Sequence, residues 1–240
     1  MGIIGNFLKK KKFTRGDINN NDRIGMLHKA WGHIFTNHIF GDYIEFGVYQ
    51  GESLENSIIQ YKEFMIWLNN QKKSDENWRV DLASKSPLNQ KINFRGIDTF
   101  EGIPTNNEKN FTFKKGYFST SFEKVKKKLS KHSENVILYK GTFFDKKEEI
   151  INDLKNKKIS ICMIDCCLSQ STSDALEIID NFLTIGTIII FDDFNCFNAD
   201  NNKGQRKAFN LFRKQTNWVF EKLNSYQYVG QSFVVVDKLK

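Results

Sequence analysis

Hydrophobic positions along the chain alternate between helix-like and strand-like spacing. From Arg23 to Phe40, apolar residues recur every three or four positions, which predicts an amphipathic helix. Ile159–Ile164 and Gly186–Phe191 are almost continuously apolar, as in strands covered on both faces. The same reading predicts strands at 43–48, 94–98, 136–139, 218–223 and 226–236, and helices at 53–68, 121–131, 146–155, 205–216 and from Ser171 or Thr172 to Phe182.

This alternation predicts an α/β fold with a mostly parallel sheet, helices on both faces, and a closing hairpin. The polar stretch 69–93 contains Pro87 and is interpreted as a surface insertion. Residues 1–22 are basic and aperiodic, which indicates a flexible arm before a single domain over 23–240.

Composition narrows the function classes. The chain is 40% apolar and 27% charged, which excludes general disorder. The 36 basic residues outnumber the 28 acidic ones, but the lysine runs lack interleaved arginines and aromatics, which disfavours nucleic acid as a partner. No apolar run is long enough to span a membrane, and a cytoplasmic location is expected. Cys162, Cys166, Cys167 and Cys196 lack the second ligand cluster of a zinc site.

Acidic residues stand where the predicted strands end. Asp165 follows one core strand, and Asp192 and Asp193 follow the next. Adjacent strands lie about 4.8 Å apart, so these three carboxylates are expected to converge. Oxygen ligands of this kind select Mg²⁺, Ca²⁺ or Mn²⁺, and the alternative is a set of solvated strand-end acids.

The exits of the first two predicted strands favour a nucleoside-containing ligand. Gly47 and Gly51 let the backbone turn sharply and approach a ligand. Asp98 ends the second strand, where a carboxylate can accept hydrogen bonds from a ribose diol or, alternatively, cap a turn. The pattern is neither the GxGxxG dinucleotide motif nor a P-loop.

Six motifs in order carry a resemblance to a known family. They are Glu45–Gly51, Gly96–Pro104, Gly141–Asp145, Ile164-Asp165 with Ser171-Thr172, Ile190–Phe194 and Gly204–Phe209. Together, over about residues 23–237, they resemble the macrocin O-methyltransferase family, which methylates sugar hydroxyls. The resemblance implies a Rossmann-like class I methyltransferase with a seven-stranded sheet, an antiparallel C-terminal strand, S-adenosylmethionine as methyl donor and Mg²⁺ as metal.

The resemblance also assigns residues. It implies a cofactor site made of Glu45, Gly47, Gly51, Ser53, Asp98, Thr99, Phe100, Gly141 and Phe143. Asp98 would hold the ribose hydroxyls, and Asp165, Asp192 and Asp193 would hold the metal. Such an ion could orient an acceptor hydroxyl toward the methyl group and lower its pKa.

The chain departs from the family pattern next to Asp165. Where members read Asp-x-Asp-x-Tyr-Glu-Ser-Thr, it has Cys167, Ser169 and Gln170 at the second aspartate, the tyrosine and the glutamate. The resemblance implies catalytic roles for Asp165 and for Cys167, which replaces the family's base, although a free thiol titrates near 8.5. Either the acceptor needs no carboxylate base, or activity is reduced or redirected.

The leading hypothesis is therefore a Mg²⁺-dependent O-methyltransferase that acts on a sugar or glycosylated metabolite. An inactive binding protein that keeps the cofactor pocket is a second hypothesis, and an RNA methyltransferase is a third. A homo-oligomer is left open.

Overall fold

The structure is a computed structural model that describes residues 21–108, 113–132 and 135–239. The predicted basic arm lies outside the described residues except for Asn21 and Asp22. The division into an arm and a single domain therefore stays a prediction.

Seven helices and seven strands make up the regular structure of the described residues. The helices are α1 (Arg23–Thr36), α2 (Glu52–Gln71), α3 (Asn77–Lys85), α4 (Phe122–Leu129), α5 (Phe143–Asp153), α6 (Ser169–Ile179) and α7 (Gly204–Gln215). The strands are β1 (Asp42–Phe46), β2 (Phe94–Asp98), β3 (Val136–Lys140), β4 (Ile159–Ile164), β5 (Ile188–Phe191), β6 (Trp218–Tyr226) and β7 (Gly230–Lys238). Short 3₁₀ turns cover Pro87–Asn89, Asp180–Phe182 and Phe197–Ala199.

The strands form one sheet in the order β3-β2-β1-β4-β5-β7-β6. Strands β1 to β5 pair in parallel, and β7 is antiparallel to both β5 and β6. This arrangement confirms the predicted mostly parallel sheet with an antiparallel C-terminal strand. None of the helices in the described ranges is long and apolar enough to cross a membrane.

Strand β4 shows why the core has two halves. Its side chains alternate between faces, as the pleat requires. Cys162 and Ile164 pack in one buried cluster, with residues of α5, α6 and α7. Ile161 and Met163 pack in the other, with residues of α1, α2 and α4. Helices therefore cover both faces, which is why the predicted strand at 159–164 reads as continuously apolar.

Several predicted bounds differ from the structure. Helix α5 begins at Phe143 rather than Lys146, and β6 continues to Tyr226, so the hairpin turns after that residue rather than before it. Helix α1 ends at Thr36 rather than Phe40, because His38 has a φ of +53° and the chain turns there toward β1. The interval 69–93 is not only a surface insertion. It contains the end of α2 and all of α3, and Ala83, Leu88 and Ile92 are buried in the core. The three buried residues recur at no regular helical or strand spacing, so periodicity does not predict their packing.

Helix α6 begins earlier than predicted. The sequence predicts Ser171 or Thr172 as its cap, but the helix starts at Ser169. Thr172 lies inside the first turn, where its hydroxyl donates to the Leu168 carbonyl at 2.8 Å. The backbone N–H of Ser169, at the start of this helix, donates to a side chain from another part of the chain, that of Glu108.

Candidate functional site

The parallel strands end level with one another. Phe46 of β1 pairs with Ile97 of β2 on one side and with Ile164 of β4 on the other, and Ile164 pairs with Phe191 of β5. The residues that follow these pairs are Gly47, Asp98, Asp165 and Asp192. The acids predicted from strand ends therefore share one edge of the sheet, where ligands bind in folds of this type.

A cavity of about 1000 Å³ opens at this edge, which is at the upper end of the range for small-molecule sites. Its wall includes the loop after β1, the segment after β2, the start of α5 and the acids after β4 and β5. Of the predicted cofactor residues, Gly47, Ser53, Asp98, Thr99 and Phe143 line it. Glu45, Gly51, Phe100 and Gly141 are not among the lining residues.

Asp98 holds the loop between β1 and α2 in place. One carboxylate oxygen accepts from the backbone N–H of Tyr49 at 2.8 Å, and the other accepts from that of Phe100 at 2.7 Å. Both donors lie in left-handed backbone, with φ of +46° at Tyr49 and +60° at Phe100. Each oxygen keeps a second lone pair for a ligand hydroxyl. Asp98 thus fixes the loop and can still bind a diol.

Glu45 is a structural part of the loop's base. It is completely buried, and its carboxylate accepts from the hydroxyls of Tyr43 at 2.5 Å and Ser53 at 2.7 Å. Burial raises the pKa of Glu45 to about 7, and these two hydrogen bonds offset only part of that shift. The side chain therefore supports Ser53, which lines the cavity, rather than facing the cavity itself.

Replacing Glu45 with glutamine should make stability less sensitive to pH. The folded pKa of Glu45 lies above its ordinary value of 4.5, so its contribution is complete below that value and is lost as pH rises through about 7. Unfolding free energies of the parent and Glu45→Gln should therefore diverge in favour of glutamine by up to about 3 kcal/mol between pH 4 and pH 8. Denaturant titrations at several pH values measure this difference.

Glu55→Gln is a control of opposite sign. Burial raises the pKa of Glu55, but hydrogen bonds from Lys128 and His132 outweigh it, so the net shift is downward. The Glu55 contribution is present above the ordinary value and is lost as pH falls. A parallel response of the two variants would contradict the assignment of Glu45.

The acids after β4 and β5 form a corner with one arginine. Arg23, the first residue of α1, donates from Nε to Asp192 Oδ1 at 3.1 Å and from Nη2 to Asp192 Oδ2. Its Nη1 lies 3.3 Å from Asp165 Oδ2. The Tyr226 hydroxyl donates to Asp192 Oδ1 at 2.9 Å. Both oxygens of Asp192 are therefore engaged by protein donors.

Asp193 has a different environment. No ion pair of its carboxylate with a basic side chain occurs within the described ranges, and Asp193 lines the cavity. Its Oδ1 accepts from the Cys196 thiol at 3.4 Å, and its backbone N–H donates to Gln205 Oε1 at 3.0 Å. Burial and the neighbouring Asp192 raise the pKa of Asp193 to about 6.

Cys167 is poorly placed to ionise. It is 6% exposed, and burial followed by the charge of Asp193 raises the pKa of its thiol far above the ordinary value. A general base must lose its proton near the working pH, which this environment opposes. The predicted catalytic role of Cys167 therefore has no electrostatic support, although its side chain lines the cavity.

Glu108 is a site residue that the sequence did not indicate. Its Oε1 accepts from the backbone N–H of Ser169 at 2.7 Å, and its Oε2 accepts from that of Gly204 at 3.0 Å. These are the first residues of α6 and α7, and neither helix has a side-chain N-cap of its own. One carboxylate thus satisfies the positive ends of two helices and fastens the segment 103–108 along the cavity.

The arrangement of Asp165, Asp192 and Asp193 does not fit a divalent ion held by three carboxylates. The described part of the chain contains no group of three His, Cys, Asp or Glu side chains that could hold a metal ion. The reason is visible in the corner, where the Arg23 guanidinium already contacts Asp192 and Asp165. The structure brings the predicted acids together but places a protein cation between two of them.

Solved structures with the same fold include the O-methyltransferase NovP. NovP has 16% sequence identity and a TM-score of 0.61, and the match covers 90% of this chain and 80% of NovP. CalS11, a calicheamicin methyltransferase, has 17% identity and a TM-score of 0.61, with 92% and 80% covered. An O-methyltransferase from Bacillus cereus in complex with SAH has 12% identity and a TM-score of 0.51, with 89% and 81% covered. At these identities the likeness establishes the Rossmann-like methyltransferase fold.

Sequence comparison adds the family. No functionally curated protein has a significant sequence match to this chain. The family model for macrocin O-methyltransferase (TylF) matches residues 85–233, which is more than half of the 240 residues and includes Asp98, Asp165, Asp192 and Asp193. The chain therefore belongs to the macrocin O-methyltransferase family of S-adenosylmethionine-dependent O-methyltransferases.

Proposed function

We propose that this enzyme methylates a hydroxyl of a sugar or of a glycosylated small molecule, in the cavity at the sheet edge. The observation that carries the proposal is that one cavity contains both the loop tied to Asp98 and the acids after β4 and β5. The family is named for methylation of macrocin, and a second CalS11 structure is described as a TDP-rhamnose 3'-O-methyltransferase. A volume of about 1000 Å³ accommodates a donor and a small acceptor together.

The donor half of the cavity lies beside β1 and β2. The free lone pairs of Asp98 suit the ribose hydroxyls, and Gly47 lines the cavity on the same side. Phe143, at the start of α5, offers an apolar face for the adenine ring. Thr99 and Ser53 also line this half and complete the proposed donor site.

The acceptor half lies beside β4 and β5. When bound, S-adenosylmethionine supplies an electrophilic methyl group, and attack by the acceptor oxygen forms the O–CH₃ bond, breaks the S–CH₃ bond and leaves S-adenosylhomocysteine. We assign the acceptor's proton to the carboxylate of Asp193, which lines the cavity and makes no ion pair with an arginine among the described residues. Asp165 and Asp192, held by Arg23, line the same cavity. Alignment of acceptor and donor by the cavity walls supplies much of the acceleration.

The Mg²⁺ requirement stays a prediction from the sequence. Because Arg23 occupies the carboxylates that would be ligands, no step of the proposed reaction passes through a metal ion. The experiment in the next subsection tests this point directly.

Mass spectrometry of reaction mixtures tests the proposed function. The enzyme would be incubated with S-adenosylmethionine and, separately, with nucleotide sugars, glycosylated metabolites, a catechol and an RNA oligonucleotide. We expect a gain of one methyl group on a sugar hydroxyl, and Asp193→Asn should lower that rate by at least about 100-fold, as for removal of a catalytic proton acceptor. Methylation of only the catechol or the RNA would contradict the sugar assignment.

Cys167, Ser169 and Gln170 favour a second candidate, a methyltransferase fold that binds ligands without catalysis. Cys167→Asp distinguishes the two. An inactive parent that gains methylation on this substitution would indicate a decayed site. An active parent that gains nothing would indicate an intact site in which another residue accepts the proton.

A further inference from the structure

We propose that the guanidinium of Arg23 is the resident cation of the acidic corner, so that this enzyme positions Asp165 and Asp192 without a divalent metal ion. The inference rests on the proposed function only for the use of the corner in methyl transfer. Which cation binds between Asp165 and Asp192 can be measured without knowledge of the acceptor.

Arg23 makes a bidentate ion pair with Asp192 and a further contact with Asp165. Nε and Nη2 donate to the two oxygens of Asp192 as a fork, and Nη1 reaches Asp165 Oδ2 at 3.3 Å. Forked guanidinium–carboxylate pairs are stronger and more directional than single hydrogen bonds. Tyr226 completes the shell of Asp192 at 2.9 Å. A metal ion that approached Asp192 would meet the positive charge of the guanidinium beside both carboxylate oxygens.

The backbone around Arg23 fixes it at the corner. Asp22 caps α1 by accepting from the backbone N–H of Gly25 at 2.7 Å, which sets the start of the helix. The carbonyl of Asn21 accepts from the backbone N–H of Gln227 at 2.6 Å, which ties the preceding residue to the turn after β6. Tyr226, the last residue of β6, lies beside that turn and contacts Asp192. Arg23 is thus anchored on both sides of its own position.

The local charges favour a cation at the corner. Asp165 is partly exposed, at 23%, and it shares the corner with the carboxylates of Asp192 and Asp193, which repel one another when ionised. The Arg23 guanidinium, with Nη1 3.3 Å from Asp165 Oδ2, offsets that repulsion. A guanidinium remains charged at every working pH, so it can neutralise the corner permanently. A bound Mg²⁺ would also neutralise these carboxylates, but it would compete with the Arg23 guanidinium, which already contacts them.

Arg23 also has capacity for the acceptor. A guanidinium carries five N–H donors, and the contacts to Asp192 and Asp165 use three of them. Arg23 is about one-third exposed and lines the cavity, so its remaining donors can face a ligand oxygen. Arg23 is therefore a positioning residue for the acids and a candidate hydrogen-bond donor to the acceptor.

Binding of Mn²⁺, followed by electron paramagnetic resonance, tests the proposal. Mn²⁺ uses the same oxygen ligands as Mg²⁺. We expect no binding by the parent up to about 1 mM, the weak end of oxygen-ligand sites, and unchanged melting temperature in EDTA. Arg23→Met frees the carboxylates, so it should bind Mn²⁺ at least about tenfold more tightly, and adding Asp192→Asn should remove that gain.

Arg79→Met is the matched control, because Arg79 pairs with the exposed Glu76 and neither residue lines the cavity. It should bind Mn²⁺ no better than the parent. Binding of one Mn²⁺ per parent chain below about 100 µM, with loss of that binding in Asp192→Asn, would overturn the proposal. If Arg23→Met fails to fold, the parent measurement alone still decides. None of these readings depends on the acceptor, so failure of the sugar assignment would remain distinguishable.

Discussion

Alanine in place of Asp98 should weaken the binding of S-adenosylmethionine by about 100-fold, as expected for the loss of two hydrogen bonds to a charged group. Two effects combine. The substitution removes the proposed acceptors for the ribose hydroxyls, and it leaves the backbone N–H groups of Tyr49 and Phe100 without their carboxylate partner. Because both residues have positive φ, the loop would relax toward conformations that no longer shape the donor half of the cavity. Titration calorimetry with S-adenosylmethionine measures the change.

Glu101→Ala provides the matched control for that measurement. Glu101 lies three residues further along the same segment, is exposed, and makes no side-chain hydrogen bond or ion pair within the parts of the chain that the structure describes. It removes the same charge, so long-range attraction for the sulfonium falls equally in both variants. Equal affinities of Asp98→Ala and Glu101→Ala would show that the Asp98 carboxylate does not contact the donor.

The fold was predictable where burial on both faces left a continuous signal. The segments 159–164 and 186–191 were predicted as core strands, and β4 matches its predicted bounds at both ends. The ends of helices were less predictable where the backbone conformation of a single residue turns the chain. His38 ends α1 with a positive φ, and nothing in the apolar spacing before Phe40 indicates it. The burial of Leu88 and Ile92 was missed because isolated apolar residues carry no period.

The sequence predicted those site residues that directly follow the carboxyl ends of the parallel strands. Parallel strands deliver their carboxyl-end residues to one edge, so Asp98, Asp165 and Asp192 could be placed together. Arg23 and Glu108 reach the same place from a helix start and from a loop, and strand pairing does not constrain either. Their partners are distant in sequence, and neither apolar spacing nor strand ends indicate such pairs.

Composition does hold one indication that could have been used for Arg23. The chain has only six arginines among its 36 basic residues, so an arginine is an unusual choice here. Arg23 and Arg95 both make ion pairs with aspartates, Arg95 with the buried Asp42. Forked recognition of a carboxylate is a property that lysine cannot reproduce. In a lysine-rich chain, the arginines are therefore the basic residues to examine first.

The cysteine at position 167 agrees with a monovalent cation at the corner. The family resemblance implies an aspartate there, whereas the buried thiol of Cys167 stays neutral because burial and Asp193 raise its pKa. Compared with a site that has an aspartate at position 167 and a divalent ion, this site has one negative charge fewer. It also has one positive charge fewer, because Arg23 carries a single charge. The two departures compensate each other electrostatically. This balance favours an altered but intact site over a decayed one.

Gly47 determines how closely the exits of β1 and β4 approach. It has a φ of +94°, and its N–H donates to the Ile97 carbonyl at 2.9 Å. A Cβ at this position would lie 2.0 Å from the carbonyl oxygen of Asp165 and 2.8 Å from its carbonyl carbon. The obstacle is backbone at the end of a core strand, so no side-chain rotation relieves it. Space for a methyl group requires separation of the strands that carry the donor and acceptor halves of the cavity.

Gly47→Ala should therefore destabilise the protein by more than about 3 kcal/mol, or prevent soluble folding, since it adds a backbone clash to the cost of positive φ. Gly116→Ala separates the two contributions, because Gly116 has a φ of +80° but nothing lies within 4 Å of its added Cβ. For a chain of this size, the control should lose about 2–4 °C in melting temperature and Gly47→Ala several times more. Thermal unfolding of the two variants measures the difference. Equal losses would mean that the ends of β1 and β4 can separate at little free-energy cost. That result would contradict the inference that Gly47 holds these two strand ends close together.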